Sequence, residues 1–189
     1  MIDYALLSSA ANHYEAYGFA RIEVPWFVSK ATADITKPQG AQDFTIQYND
    51  KSLVASGEQG FLYQMTKGQL TPGRYQTITP CFRVEAQDIW HAKSFMKLEL
   101  IDTKSVTDAS LSQFVEQAYT FFNLSLTRYK EKLKIVDVTV PNGKQYDIVY
   151  DEIELGSYGI RKHEYLHWVY GTGLAEPRFS NLLKSLKIK

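Results

Sequence analysis

Residues 79 to 99 read Thr-Pro-Cys-Phe-Arg-Val-Glu-Ala-Gln-Asp-Ile-Trp-His-Ala-Lys-Ser-Phe-Met-Lys-Leu-Glu. Two short apolar or alternating runs, Ile78 to Val84 and Phe95 to Ile101, flank a polar loop, a pattern that predicts an antiparallel pair of strands. Arg83 and Glu85 fall two apart at the end of the first strand, so both side chains leave the same face. A guanidinium and a carboxylate side by side suit a nucleotide: the first for a phosphate, the second, or the backbone, for an adenine amino group. By residue chemistry alone, an ion pair on a wet sheet face is the simpler account of them.

Upstream, Leu6, Ala10, His13 or Tyr14, and Tyr17 recur at helical spacing and stop at Gly18. An alternating strand then runs to Pro25. Residues 30 to 50 are mostly polar and lead to a strand pair, Phe44 to Tyr48 and Ser52 to Ala55, joined at Asn49-Asp50. Ala55-Ser56-Gly57-Glu58-Gln59 opens a helix, where a carboxylate at position 58 is electrostatically favoured and Ser56 or Glu58 can serve as a cap.

Downstream, Leu111, Val115, Ala118, Phe122 and Leu126 form one apolar face and predict a long helix over 108 to 132. Pro141-Asn142-Gly143 marks a turn between two strands. The segment from Tyr146 to Arg161 carries Asp147, Glu154 and Ser157, hard oxygen ligands suited to Mg²⁺ beside phosphates, although a solvated strand edge would carry the same residues. Finally, Gly171-Thr-Gly-Leu-Ala-Glu-Pro-Arg178 leads into apolar residues at helical spacing. Small residues there let a strand-to-helix turn approach a ligand, and Pro177 fits a first helical turn.

The chain of 189 residues is 44% hydrophobic, which suits one globular domain spanning 1 to 189. Lys plus Arg and Asp plus Glu both number 21, so there is no global positive field to draw in a polyanion such as tRNA. Cys81 is the single cysteine, which excludes an intrachain disulfide and fits a reducing cytoplasm. Neither a secretory leader nor an apolar run of membrane-spanning length is visible.

These stretches, in this order, resemble the three signature motifs of the class II aminoacyl-tRNA synthetases. Gly18 to Pro25 is similar to motif 1, which in that family builds a dimer interface. Phe82, Arg83, Glu85, His91, Phe95 and Glu99 fill the places of motif 2, with Ser94 where members often carry Glu. Gly171, Gly173 and Arg178 fill motif 3, with Ala175 at the third glycine. Tyr146 to Arg161 resembles the corresponding strand and turn of aspartyl- and asparaginyl-tRNA synthetases and of ammonia-dependent asparagine synthetase.

The resemblance implies an α+β fold, an antiparallel sheet flanked by helices. It implies ATP held by Arg83 at the α-phosphate, Glu85 at the adenine amino group, Phe95 against the ring, and His91, Gly171, Gly173 and Arg178 around the phosphates. Mg²⁺ falls to Asp147, Glu154 and Ser157, the substrate amino group to Glu58, and the substrate side chain to Arg161, which points to aspartate or asparagine. A homodimer is implied by motif 1. There is no room for an anticodon-binding domain, and only nine residues separate Arg161 from Gly171; both features count against ordinary tRNA charging. The expected activity is ATP-dependent formation of an aminoacyl-adenylate by a stand-alone ligase, with asparagine-synthetase-like amidation of aspartate and a non-catalytic ligand- or partner-binding paralogue as alternatives.

Overall fold

The computed structural model describes residues 1–38, 40–46, 50–84, 88–140 and 143–187. Glu85 and the turn residues Pro141 and Asn142 lie outside them. A seven-stranded sheet organises the chain, in the order β1 (Ala20–Arg21), β5 (Arg74–Phe82), β6 (Ser94–Asp102), β10 (Leu166–Glu176), β9 (Ile153–His163), β8 (Gly143–Tyr150), β7 (Leu133–Val140). Every neighbouring pair is antiparallel except β1 with β5. The architecture is therefore the expected α+β one. A small second sheet joins β2 (Phe27–Ser29), β4 (Lys51–Leu53) and β3 (Thr45–Ile46), so strands pair on either side of Asp50 as expected; residues 47–49 lie outside the described residues.

One face of the large sheet packs on α1 (Tyr4–Glu15), α4 (Asp108–Leu126) and α5 (Arg178–Lys187). Leu7, Ala10, Ala11 and Tyr14 of α1 and Leu111, Phe114, Ala118 and Phe122 of α4 meet Leu98, Leu100, Tyr158 and Leu174 of the sheet in one buried cluster. The helical spacing of these apolar residues is the reason both segments are helices. Asp3 caps α1 and Thr107 caps α4 through their side-chain oxygens. The helix α4 stops at Leu126, short of the expected Lys132: Thr127 takes a positive φ of 41°, and Thr127–Lys132 form a 3₁₀ turn from which Tyr129 still packs against the core.

The opposite face carries α3 (Gly57–Thr66), with Phe61 and Leu62 buried against Ile101, Trp168 and Tyr170. α2 (Lys30–Asp34) packs on α3 from outside the sheet. One expectation changes here. The strand after Gly18 is only two residues long, since Val24 turns away to pack against α3 beside Gly60. The short connection between Arg161 and Gly171 is a tight hairpin, β9 to β10, turning at Glu164, which takes a positive φ of 51°.

Irregularities in two adjacent strands decide what this second face presents. Side chains alternate along a strand, so Glu154 and Ser157, three apart, should point to opposite faces. The register against β8 shifts between Ile148 and Val149, leaving Leu155 as the extra residue, and Glu154 and Ser157 come to line the same cavity. In β10 the register shifts between Thr172 and Leu174, so Thr172 and Ala175 also share a side. Gly173 occupies that bulge because a side chain there would overlap Leu98 and come within 2.9 Å of the Tyr14 ring.

Candidate active site

The face opposite α1 and α4 holds two cavities that touch. The first, about 150 Å³, lies among Arg83, His91, Phe95, Glu176 and Arg178. The second, about 350 Å³, lies among Ser56, Glu58, Gln59, Glu99, Arg161 and Tyr170. Arg83, Lys97, Glu154 and Thr172 line both, which makes them the seam between the two.

In the first cavity Arg83 lies just past the end of β5, and its guanidinium sits over the Phe95 ring, 5.1 Å from the centroid. Its Nε donates to the carbonyl of Ala55 at 3.2 Å. Arg178, at the start of α5, donates from Nε to the Trp90 carbonyl at 3.1 Å and from Nη1 to the Glu154 carbonyl at 3.0 Å. Asn181, one helical turn on, donates to the Ile89 carbonyl at 2.9 Å. The helix α5 thereby holds the β5–β6 loop from one side. His91 faces the Asp88 carboxylate at 2.8 Å, an interaction that pulls the Asp88 carboxyl below its usual range. Glu85 lies outside the described residues.

Gly171 and Gly173 do not line either cavity. Their missing side chains make room for the core: a Cβ at 171 would meet the rings of Tyr158 and Phe114, at 2.6 and 3.1 Å, and 173 abuts Leu98. The cavity wall along this strand is Thr172, Ala175 and Glu176. Glu176 is wholly buried and receives backbone N–H bonds from Asp3 and Ser180, tying α1 to α5.

The second cavity is built on charge pairs. Ser56 caps α3 through the amide of Glu58 and donates its hydroxyl to Glu99 at 2.7 Å. Lys97 donates to the other Glu99 oxygen at 3.0 Å. Burial pushes the Glu99 carboxyl up, and Lys97 opposes that shift. Glu58, also at the start of α3, accepts from Arg161 on one oxygen and from the Trp168 indole N–H, at 2.7 Å, on the other. The Arg161 guanidinium lies 3.9 Å from the centre of the Tyr170 ring. Burial works to lower its pKa, but the charge and hydrogen bond of Glu58, together with Tyr170 and Glu99, leave it raised. The two residues that the motif resemblance assigns to opposite ends of the substrate thus satisfy one another.

Asp147 faces Ser157 across the β8–β9 ladder. Its carboxyl is pushed up by burial and by the charge of Glu154, and the Ser157 hydroxyl opposes this. Among the described residues no group of three or more carboxylate, imidazole or thiol side chains gathers in a metal cage. Two carboxylates and a hydroxyl on one face fit the way Mg²⁺ is held when phosphate oxygens supply the remaining ligands. Cys81 is buried, with its thiol pushed up to about 11 by burial, so it is a packing residue. No described helix is long and apolar enough to cross a membrane.

Sequence reasoning missed Lys97, Trp168, Thr172 and Asn181. Lys97 alone had a usable signal, its period of two with Phe95 and Glu99.

No protein-family profile matches the chain, and no curated protein is similar enough in sequence to align with it. Solved structures do match in shape. Two structures of pyrrolysyl-tRNA synthetase from Desulfitobacterium hafniense superpose with TM-scores of 0.76 and 0.73, at 19% and 18% identity. Each covers 96% of this chain and 69% of the other. The cytoplasmic serine-tRNA ligase of Naegleria fowleri, solved in complex with AMP, superposes with a TM-score of 0.73 at 18% identity, covering 94% of this chain and 52% of the ligase. The fold is that of a class II synthetase catalytic core.

Proposed function

We propose that this chain is an ATP-dependent amino-acid-activating ligase of class II type, which joins an amino acid to AMP and releases pyrophosphate. The observation that supports this most is the continuity of the two cavities through Arg83, Lys97, Glu154 and Thr172. A nucleotide in the first cavity and an amino acid in the second would bring a carboxylate up to an α-phosphorus at that seam.

The substrate carboxylate is already ionised, so no protein base or nucleophile is needed. A carboxylate oxygen attacks the α-phosphorus, the bond to the bridging α–β oxygen breaks, and the electron pair leaves with pyrophosphate. The work of the chain is positioning and charge compensation. Arg83 meets the α-phosphate, Phe95 the adenine ring, and Arg178 the outer phosphates. Asp147, Glu154 and Ser157 would hold Mg²⁺, which neutralises phosphate charge when bound.

Arg161 makes aspartate or asparagine the proposed substrate class. Because Glu58 already balances Arg161, a neutral carboxamide meets less repulsion there than a second carboxylate. The acceptor of the activated acyl group is tRNA, ammonia or another nucleophile. Motif 1 and exposed apolar residues beside β1 support a homodimer. A second reading, a protein that binds these ligands without reacting them, is favoured by one observation: Arg83 and Arg178 both bond to backbone carbonyls of the chain itself.

Amino-acid-dependent exchange of pyrophosphate into ATP, measured over the twenty amino acids, tests the proposal. Exchange stimulated by one or a few of them is expected. Tight ATP binding with no exchange from any amino acid would favour the second reading instead.

A further inference from the structure

We propose that Lys97 is a catalytic residue of the activation step: its ammonium contacts the oxygens of both reacting groups at the seam of the two cavities, and Glu99 positions it. This rests on reading those cavities as a nucleotide site and an amino-acid site.

The strand β6 alternates strictly here. Leu98 and Leu100 enter the core under α1 and α4, so Phe95, Lys97 and Glu99 share the cavity face. Lys97 is central in the sheet, opposite Thr79 of β5 and Ala175 of β10. Its side chain is only 12% exposed, and what it borders are the two cavities. Phe95 lines only the first and Glu99 only the second. Along one strand, therefore, the residues step from the ring-binding end to the amino-acid end, with a cation between.

An ammonium has three N–H donors. Glu99 takes one at 3.0 Å, and no other bonded acceptor is found among the described residues. Glu99 is itself fixed on its second oxygen by Ser56, the cap of α3. A cation tethered in this way, with donors to spare, suits a point where two anions must meet.

The reaction supplies that need. A carboxylate must approach a phosphate, and a preorganised positive charge that touches the oxygens of both removes the repulsion and requires no rearrangement as charge shifts. Arg83 also lines both cavities, but its Nε is bonded to Ala55 and its plane covers Phe95. Lys97 is the cation of the seam that has no such second engagement among the described residues.

The competing role is plain neutralisation of a buried carboxylate. Lys97→Met and the double variant Lys97→Met/Glu99→Gln separate the two roles, because the double variant removes both charges together. Pyrophosphate exchange with the best amino acid and ATP binding by titration calorimetry are measured for each. We expect Lys97→Met to lower the exchange kcat at least ~100-fold, the scale of a lost electrostatic contact to a transition state, while ATP affinity stays within about threefold. The double variant should recover thermal stability and stay equally inactive. If Lys97→Met fails to fold, the double variant carries the comparison.

Exchange within about threefold of wild type in Lys97→Met, or recovery of exchange in the double variant, overturns the assignment of Lys97 and leaves the activating function intact. Absence of exchange in the wild type with any amino acid overturns that function and this assignment together.

Discussion

Glu58 and Arg161, 103 positions apart in the sequence, form an ion pair at the floor of the larger cavity, with the Trp168 indole holding the second carboxylate oxygen. Glu58 is nearly buried, whereas the Arg161 side chain is 36% exposed, so loss of the arginine leaves a desolvated charge. Arg161→Leu should destabilise the fold by about 2 kcal/mol, below the usual range for broken buried pairs because solvent screens the arginine. Adding Glu58→Gln should return part of the loss. Urea unfolding of both single variants and the double variant gives the coupling, and additive effects would contradict the pair's importance.

For Arg83→Ala and Arg178→Ala, ATP affinity or exchange rate should each fall at least ~10-fold, the ~1.4 kcal/mol expected for a lost charge-assisted contact. Arg178→Ala should also loosen residues 88 to 92, because the Trp90 carbonyl loses its donor. Faster amide exchange in that loop, unchanged in Arg83→Ala, distinguishes the two. Wild-type ATP binding in either variant would remove that arginine from the site.

The raised Glu99 carboxyl has a pH signature. Its folded form keeps the proton to a higher pH than the unfolded chain does. The folded state therefore binds more protons above the unfolded carboxylate pKa of ~4.3, and stability falls as pH rises from there to the higher folded value. In Glu99→Gln this segment of the stability curve should flatten. Urea midpoints from pH 4 upward, wild type against variant, read it directly, and parallel curves would show that Glu99 does not titrate differently on folding.

Trp26 and Phe27 are 57% and 45% exposed, beside the two-residue edge strand β1. With the motif 1 resemblance, they are where the proposed homodimer would make its contact. Light scattering at about 50 µM should give twice the chain mass for the wild type, and Trp26→Asp should shift it toward the monomer. A monomeric wild type would rule this contact out.

The sequence made the β5–β6 hairpin visible because its alternation is regular and its loop polar, and α1 and α4 visible because their apolar stripes are. Arg83, Phe95 and Arg178 were legible through spacing that resembled known motifs. What stayed hidden depends on contacts made at long range. Nothing near position 58 announces that Arg161 and Trp168 will close on it, and nothing around Val24 announces that it leaves the strand to pack on α3. Lys97 reads locally as one more alternating charge. Its place at a junction exists only once β5, β6 and β10 lie side by side.

The bulges at Leu155 and Gly173 act as phase shifters. Each strand carries its letters in a two-beat rhythm, and one added beat decides which letters face the cavities and which face the core. A relative could therefore keep Glu154, Ser157, Thr172 and Arg178 unchanged, lose a single residue at either bulge, and present a different set of side chains to the cavities. For this architecture, motif letters are a message whose meaning depends on the frame in which the strand is read. Removing Leu155 would test that frame: the ladder could still close, but Glu154 and Ser157 could no longer share a wall.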